Sequence, residues 1–125
     1  MNDHKPDVVM LRRVMTHIKD HPETWHQGSW RSKTECGTRF CFAGWAVEFA
    51  EDACFFAYED GYVSNYMIMY KDDVIEAEIA ARKILGISYR DAENLFNAGA
   101  DIDELEDIVD QICADASHRT QEITS

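Results

Sequence analysis

Between Phe40 and Ala50 the chain reads Phe-Cys-Phe-Ala-Gly-Trp-Ala-Val-Glu-Phe-Ala, and Glu48 is its only charge. A helix that is apolar all round has no face for water and belongs inside a core. Gly44 and the alanines would let neighbouring elements approach closely. The chain has 125 residues, a common size for one domain. A chain of this length buries roughly two-thirds of its unfolded surface and needs no covalent staple. The expected architecture is therefore mainly α (α+β). It is a single domain spanning 1–125, a helical bundle around a buried central helix at about 39–51, with one β-hairpin at its side. Residues 1–6 and 117–125 are expected to be flexible ends.

The segment leading into this run is Cys36-Gly37-Thr38-Arg39-Phe40-Cys41. Thr38 suits a helix N-cap, and Gly37 supplies a permissive turn before it. That placement puts Cys41 in the first helical turn, where free amides and the helix dipole stabilise a thiolate. A thiol nucleophile also wants a histidine base. His4, His17, His21 and His26 precede Cys41, and His118 falls in the polar tail. Cys41 is thus a weak catalytic candidate. The competing reading makes Cys36 and Cys41 small buried hydrophobes. A third reading is metal. His17 and His21 are spaced i, i+4 on one helix face, and with Cys36 and Cys41 they could supply a two-His, two-Cys zinc site. Without zinc, no cofactor is implied. The Asp101/Asp103 run lacks the glycine and fifth-position ligand of a calcium loop.

The remaining elements follow from periodicity. Val8, Leu11, Val14, Met15 and Ile18 form one stripe over 7–20, ended by His21-Pro22. Residues 22–35 are polar but carry Trp25 and Trp30, expected to pin that segment onto the core. Residues 54–70 alternate aromatic and β-branched residues around Asp60-Gly61, a hairpin signature. Asp72 or Asp73 is expected to cap the next helix, which ends at Gly86. Ser88 opens a short helix. Asp101-x-x-Glu104 forms a capping box before the stripe Ile102, Leu105, Ile108, Val109, Ile112, Cys113. Residues 80–94 have the outline of a helix-turn-helix. Its second helix carries more acids than bases, so it is read as a packing corner and direct nucleic-acid binding is excluded.

Net charge is −12, unevenly spread. Residues 1–40 carry seven bases against five acids, residues 41–70 five acids and no base, and residues 71–125 five bases against fourteen acids. Such a surface repels nucleic acid and anionic membranes and suits a basic protein partner. Glu48, within an apolar helix, is expected to pair with Arg12, Arg13, Arg31 or Arg39. The N-terminus shows no apolar leader segment and the chain no run of ~18 apolar residues, so a cytoplasmic protein with reduced thiols is expected.

The strings His21-Pro22-Glu23-x-Trp25-x-Gln27-x-x-Trp30, Cys36-Gly37-Thr38-x-x-Cys41-x-Ala43-Gly44-Trp45-Ala46 and Leu85-Gly86-Ile87-x-x-x-x-Ala92-x-x-Leu95-Phe96 resemble those of small uncharacterised proteins. These occur in actinobacteria, other bacteria and their phages, mycobacteriophages included. The likeness spans about residues 8–112. It implies a phage or bacterial cytoplasmic accessory protein and no particular chemistry. Together with the charge pattern, the expected function is protein–protein interaction. The partner would be a basic or nucleic-acid-binding host protein, with nucleic-acid mimicry as one version. The candidate contact residues are Tyr58, Tyr62 and Tyr66 of the hairpin and Asp103, Glu106, Asp107 and Asp110 of the last helix. Zinc binding and thiol enzymology are the alternatives, and the activity of the chain as an enzyme is left open.

Overall fold

The computed structural model describes residues 5–28, 30–34 and 37–124. Helix α1 (Val8–Asp20) starts where the Asp7 carboxylate accepts from Met10 N at 2.9 Å, and it buries Leu11, Val14, Met15 and Ile18. Pro22–Thr24 then make a single 3-10 turn. Strands β1 (Ser32–Thr34) and β2 (Gly37–Arg39) pair as a short antiparallel hairpin, which leads into α2 (Phe42–Phe49).

Next comes a meander of three antiparallel strands in the order β3 (Ala53–Ala57), β4 (Val63–Tyr70), β5 (Asp73–Glu76). Gly61 at φ +90 and the Asp60 carboxylate, which accepts from Tyr62 N, shape the first turn. Helix α3 (Ala77–Leu85) ends at left-handed Gly86. Helix α4 (Tyr89–Leu95) is capped by the Ser88 hydroxyl, which accepts from Asp91 N at 3.1 Å. Helix α5 (Ile102–Thr124) opens with the capping box. Asp101 Oδ1 accepts from Glu104 N at 2.8 Å, and Glu104 Oε1 accepts from Asp101 N at 3.5 Å. The helix continues to Thr124, beyond Ser117 where the sequence reading ends it.

Several expectations need correction. The molecule is not a helical bundle around one long central helix with a single hairpin. It is α+β, with five α-helices and a three-stranded antiparallel sheet among the described residues, about 53 % helical and 20 % strand. The apolar run yields only two helical turns, because Gly37–Arg39 enter a strand instead. Thr38 is therefore a strand residue paired with Lys33, not an N-cap, and the cap is Cys41 itself. Asp72 and Asp73 do not cap α3. Asp73–Glu76 form β5, and the helix begins at Ala77. Glu48 is exposed and has no ion pair among the described residues.

The core joins the inner faces of all five α-helices and the three-stranded sheet. Phe42, Leu11, Ile18, Ile68, Leu85, Ile87, Leu95 and Leu105 are among its fully buried side chains. Gly44 marks the tightest approach. A Cβ there would lie 1.9 Å from the Trp30 carbonyl oxygen.

Candidate functional site

At the Cys41 end of the motif the geometry is that of a helix cap. Cys41 lies in extended conformation before α2, and its Sγ accepts from Gly44 N at 3.4 Å. The side chain is 1 % exposed, and burial pushes its pKa up to about 11 despite the amides that face it. A thiol held protonated at neutral pH is no nucleophile. Cys36 lies outside the described residues.

The organising polar side chain here is Gln27, which is buried. Its Oε1 accepts from Trp25 Nε1 at 2.9 Å and from Phe42 N at 3.3 Å. Its Nε2 donates to Leu95 O at 2.9 Å. One amide thus ties the tryptophan segment, the start of α2 and the end of α4 together. Trp25 also bridges to Phe40, and Trp30 meets Phe96 edge-on at 6.0 Å. Both tryptophans are half-buried and pack on the core. In the sequence Gln27 stands only as part of the resembling string, with no role assigned to it. Its one signal was a lone amide between two tryptophans.

The histidine pair does share a helix face, with ring centroids 5.0 Å apart. His17, however, turns into an aromatic nest, 4.1 Å from the Trp45 ring and 5.2 Å from Phe49. Burial, then the neighbouring His21, lower its pKa. His21 stays on the surface near Glu23, 3.6 Å away. Cys41 Sγ is committed to the α2 cap. Among the described residues no three His, Cys, Asp or Glu side chains are grouped to hold a metal ion.

The acidic face of α5 is partly spoken for. Asp110 pairs with Arg12 and Glu106 with Lys19, both from α1. Hydrogen bonding to these carboxylates raises the pKa of Arg12 and of Lys19. Asp103 and Asp107 remain exposed.

The sheet is different. Its rows alternate between faces. The row Phe55–Ile68–Ile75 faces the core. The row Cys54–Met69–Val74 points the other way, flanked by Phe56 and by Met67, which pairs with Glu76. Phe56, Met67 and Met69 are only half-buried and do not pack on the core cluster. Tyr58 extends this outer surface edge-on to Phe56 at 5.0 Å, and Tyr62 follows at 5.8 Å. Tyr58, Tyr62 and Tyr66 are 44 %, 57 % and 58 % exposed, enough to contact a partner without unfolding. Tyr66 lies apart from this stack, in the irregular stretch where Ser64 Oγ accepts from Tyr66 N and Met67 N.

No family model matches the chain, and no curated protein and no solved structure matches it. Among the described residues no helix is long and apolar enough to cross a membrane.

Proposed function

We propose that the chain is an acidic protein-binding module that docks a basic partner segment on the outer face of its sheet. One observation carries this reading. An antiparallel sheet with one solvated face normally alternates apolar-in and polar-out. Here the outward row Cys54–Met69–Val74 with Phe56 and Met67 is apolar as well. A contiguous apolar surface outside the core is the mark of an interaction site. The strand ends and turns around it carry exposed Glu51, Asp52, Glu59, Asp60, Asp72 and Glu76. An apolar centre with an acidic rim fits a segment of alternating apolar residues flanked by lysine or arginine. Among the described residues β3 is an edge strand, paired with β4 alone, so such a segment could also extend the sheet. Basic, nucleic-acid-binding proteins are the kind of partner this charge selects, in keeping with the accessory role the sequence resemblance implies. The α5 face is the weaker surface, because Arg12 and Lys19 neutralise part of it. Thiol chemistry at Cys41 finds no support in a buried, protonated side chain.

The test is capture by the intact protein and by a Met67→Lys/Met69→Lys variant, each at about 0.05 M and 0.5 M salt, which straddle strong and weak screening. Retained proteins should be basic, held at low salt by the wild type and lost from the variant. Retention that the variant leaves unchanged, or that moves instead with Asp103→Asn/Asp107→Asn, refutes the assignment of this face.

A further inference from the structure

Between the end of α3 and the β4–β5 turn lies an open cleft of about 660 Å³. In a chain of net charge −12 this cleft is cationic. Lys5, Lys71, Arg82 and Lys83 line it against the single carboxylate of Asp73. Of the five bases that follow residue 40, three are gathered here.

The backbone builds this arrangement. Gly86 at φ +65 lets the Lys5–Pro6 backbone cross the end of α3. A Cβ on Gly86 would lie 2.2 Å from the Lys5 carbonyl oxygen. Asp7 N donates to Leu85 O at 2.8 Å and pins the same segment. Lys71 reaches the cleft from a turn where it holds φ +56, a left-handed conformation that glycine or asparagine adopts at lower cost. Its Nζ stands 5.3 Å from the Tyr70 ring centroid. Arg82 is shared with Glu78 at 3.6 Å and with the Tyr89 ring. Lys5, Lys71 and Lys83 have no ion pair among the described residues.

Bases near a helix C-terminus usually complement its dipole. That account does not suffice here. The Arg82 carbonyl already accepts from Gly86 N and Ile87 N, and the Leu85 carbonyl from Asp7 N. Lys5 and Lys71 moreover come from other elements. Beside the charges the lining includes Ile75, Ile87 and Tyr70. The volume falls in the ~300–1,000 Å³ range of small-molecule sites. Three ammonium groups and a guanidinium line the cleft against one carboxylate, an excess of positive charge that a phosphate or diphosphate, with more than one negative charge, matches better than a carboxylate does.

We propose that this cleft binds a small organic phosphate. Lys5, Lys71 and Lys83 hold the phosphoryl oxygens, and Tyr70, Ile75 and Ile87 seat the body of the ligand. The site is separate from the outer face of the sheet and stands or falls without it.

The test uses the full chain and ADP as the ligand, with pyrophosphate supplying charge alone and adenosine supplying a body alone. Titration is followed by amide NMR shifts and calorimetry at low salt, up to about 5 mM, where even ~1 mM binding approaches saturation. ADP should saturate and shift the amides of Lys71, Lys83 and Ile87, pyrophosphate should bind more weakly, and adenosine should not saturate. Lys71→Gly/Lys83→Gln should weaken ADP by about tenfold or more, since it removes two charge-assisted contacts. Glycine keeps the turn at Lys71, and Lys83→Gln alone on an exposed helix position should act in the same direction. No saturable ADP binding, equal binding of adenosine, or an affinity that neither variant changes overturns the proposal.

Discussion

Gly44→Ala is the substitution whose sign discriminates best. Gly44 is the third residue of α2, and within a helix alanine is better than glycine by up to roughly 1 kcal/mol on propensity alone. If α2 stood free of its neighbours at this point, the substitution would stabilise the protein by about that amount. The structure predicts the reverse. The new methyl would lie 1.9 Å from Trp30 O and 3.0 Å from both Trp30 C and Phe40 Cβ. Real contacts of this kind stay near ~3.5 Å or beyond, so α2 and the Trp30 backbone must separate by more than 1 Å. The obstacle is main chain, which cannot rotate away like a long side chain. Separation would also disturb the Cys41 cap, whose donor is Gly44 N itself. Overpacking of a tight core costs typically ~1–3 kcal/mol, and loss of a cap about 1 kcal/mol more. Against the propensity gain, the net expectation is destabilisation by about 1–3 kcal/mol. For a chain of this size that is a fall in Tm of several degrees, about 3–5 °C per kcal/mol. Urea titration followed by far-UV circular dichroism measures it, with an unchanged m-value showing that the same surface unfolds. A Gly44→Ala protein as stable as the wild type, or more so, would refute the close approach of α2 to Trp30 and with it the packing role of the motif.

Four further outcomes follow from the same region. Gln27→Leu keeps the bulk but orphans Trp25 Nε1, Phe42 N and Leu95 O, and should cost about 2–4 kcal/mol by thermal and urea unfolding, since each buried unsatisfied group is worth ~1–3 kcal/mol. Alkylation at pH 8 with mass-spectrometric mapping should modify exposed Cys54 first and leave Cys41 protected until the protein unfolds. Cys41 also couples stability to alkaline pH. The folded state keeps its proton up to about 11 while the unfolded thiol loses it near 9.0, so this contribution is complete below pH 9 and declines between 9 and 11, by about 3 kcal/mol in all; Cys41→Ser should flatten that decline. His17 acts on the acid side. Its lowered pKa means that the unfolded chain takes up the proton first, so its stabilising contribution is present above the ordinary value of 6.5 and is lost as pH falls below it. His17→Phe, which keeps a ring against Trp45, should reduce the loss of stability between pH 7 and pH 5.

What could be read in the sequence divides by the range of the forces involved. Asp60-Gly61 at the turn, Gly86 after α3, Ser88 before α4 and the Asp101–Glu104 box are local chemistry, and each sits where its side chain or glycine demands. The misreadings are nonlocal. Thr38 is a good N-cap and an equally good strand residue. Only pairing with Lys33 decides between them, and the three-residue strands β1 and β2 carry no alternating apolar pattern to announce it. Asp73-Val74-Ile75-Glu76 continues smoothly into the helical stripe of α3. Its β-branched pair was the one signal that β4 would capture it as a third strand. Periodicity likewise shows that α1 and α5 are amphipathic but not that Arg12 and Lys19 meet Asp110 and Glu106. Nor does it show that Glu48 turns to water. A helix with six consecutive buried residues still has an end, and Glu48 stands at it.

The fate of Cys41 turns on magnitudes. A thiol at a helix start gains from the dipole and from free amides, an effect of ~0.3–1 kcal/mol at an ordinary terminus, less than one unit of pKa. α2 is only eight residues long, and one of its amides, Gly44 N, is directed at Sγ from 3.4 Å. Against this stands the removal of the thiolate from water behind Phe42, Trp45 and Phe40, all buried. Desolvation of a buried group shifts a pKa by up to several units, and here it prevails, carrying the thiol from 9.0 up to about 11. The features that first suggest reactivity are the ones that bury the sulfur. At the helix start Gly44 packs against the Trp30 backbone, Gln27 accepts from Phe42 N, and Cys41 is left 1 % exposed. A reactive Cys41 would therefore require local opening at the start of α2, where the Gln27–Phe42 bond and the Gly44 contact lie. Exposure of that thiol is a local unfolding event, and its alkylation rate reports the stability of the segment rather than the acidity of the sulfur.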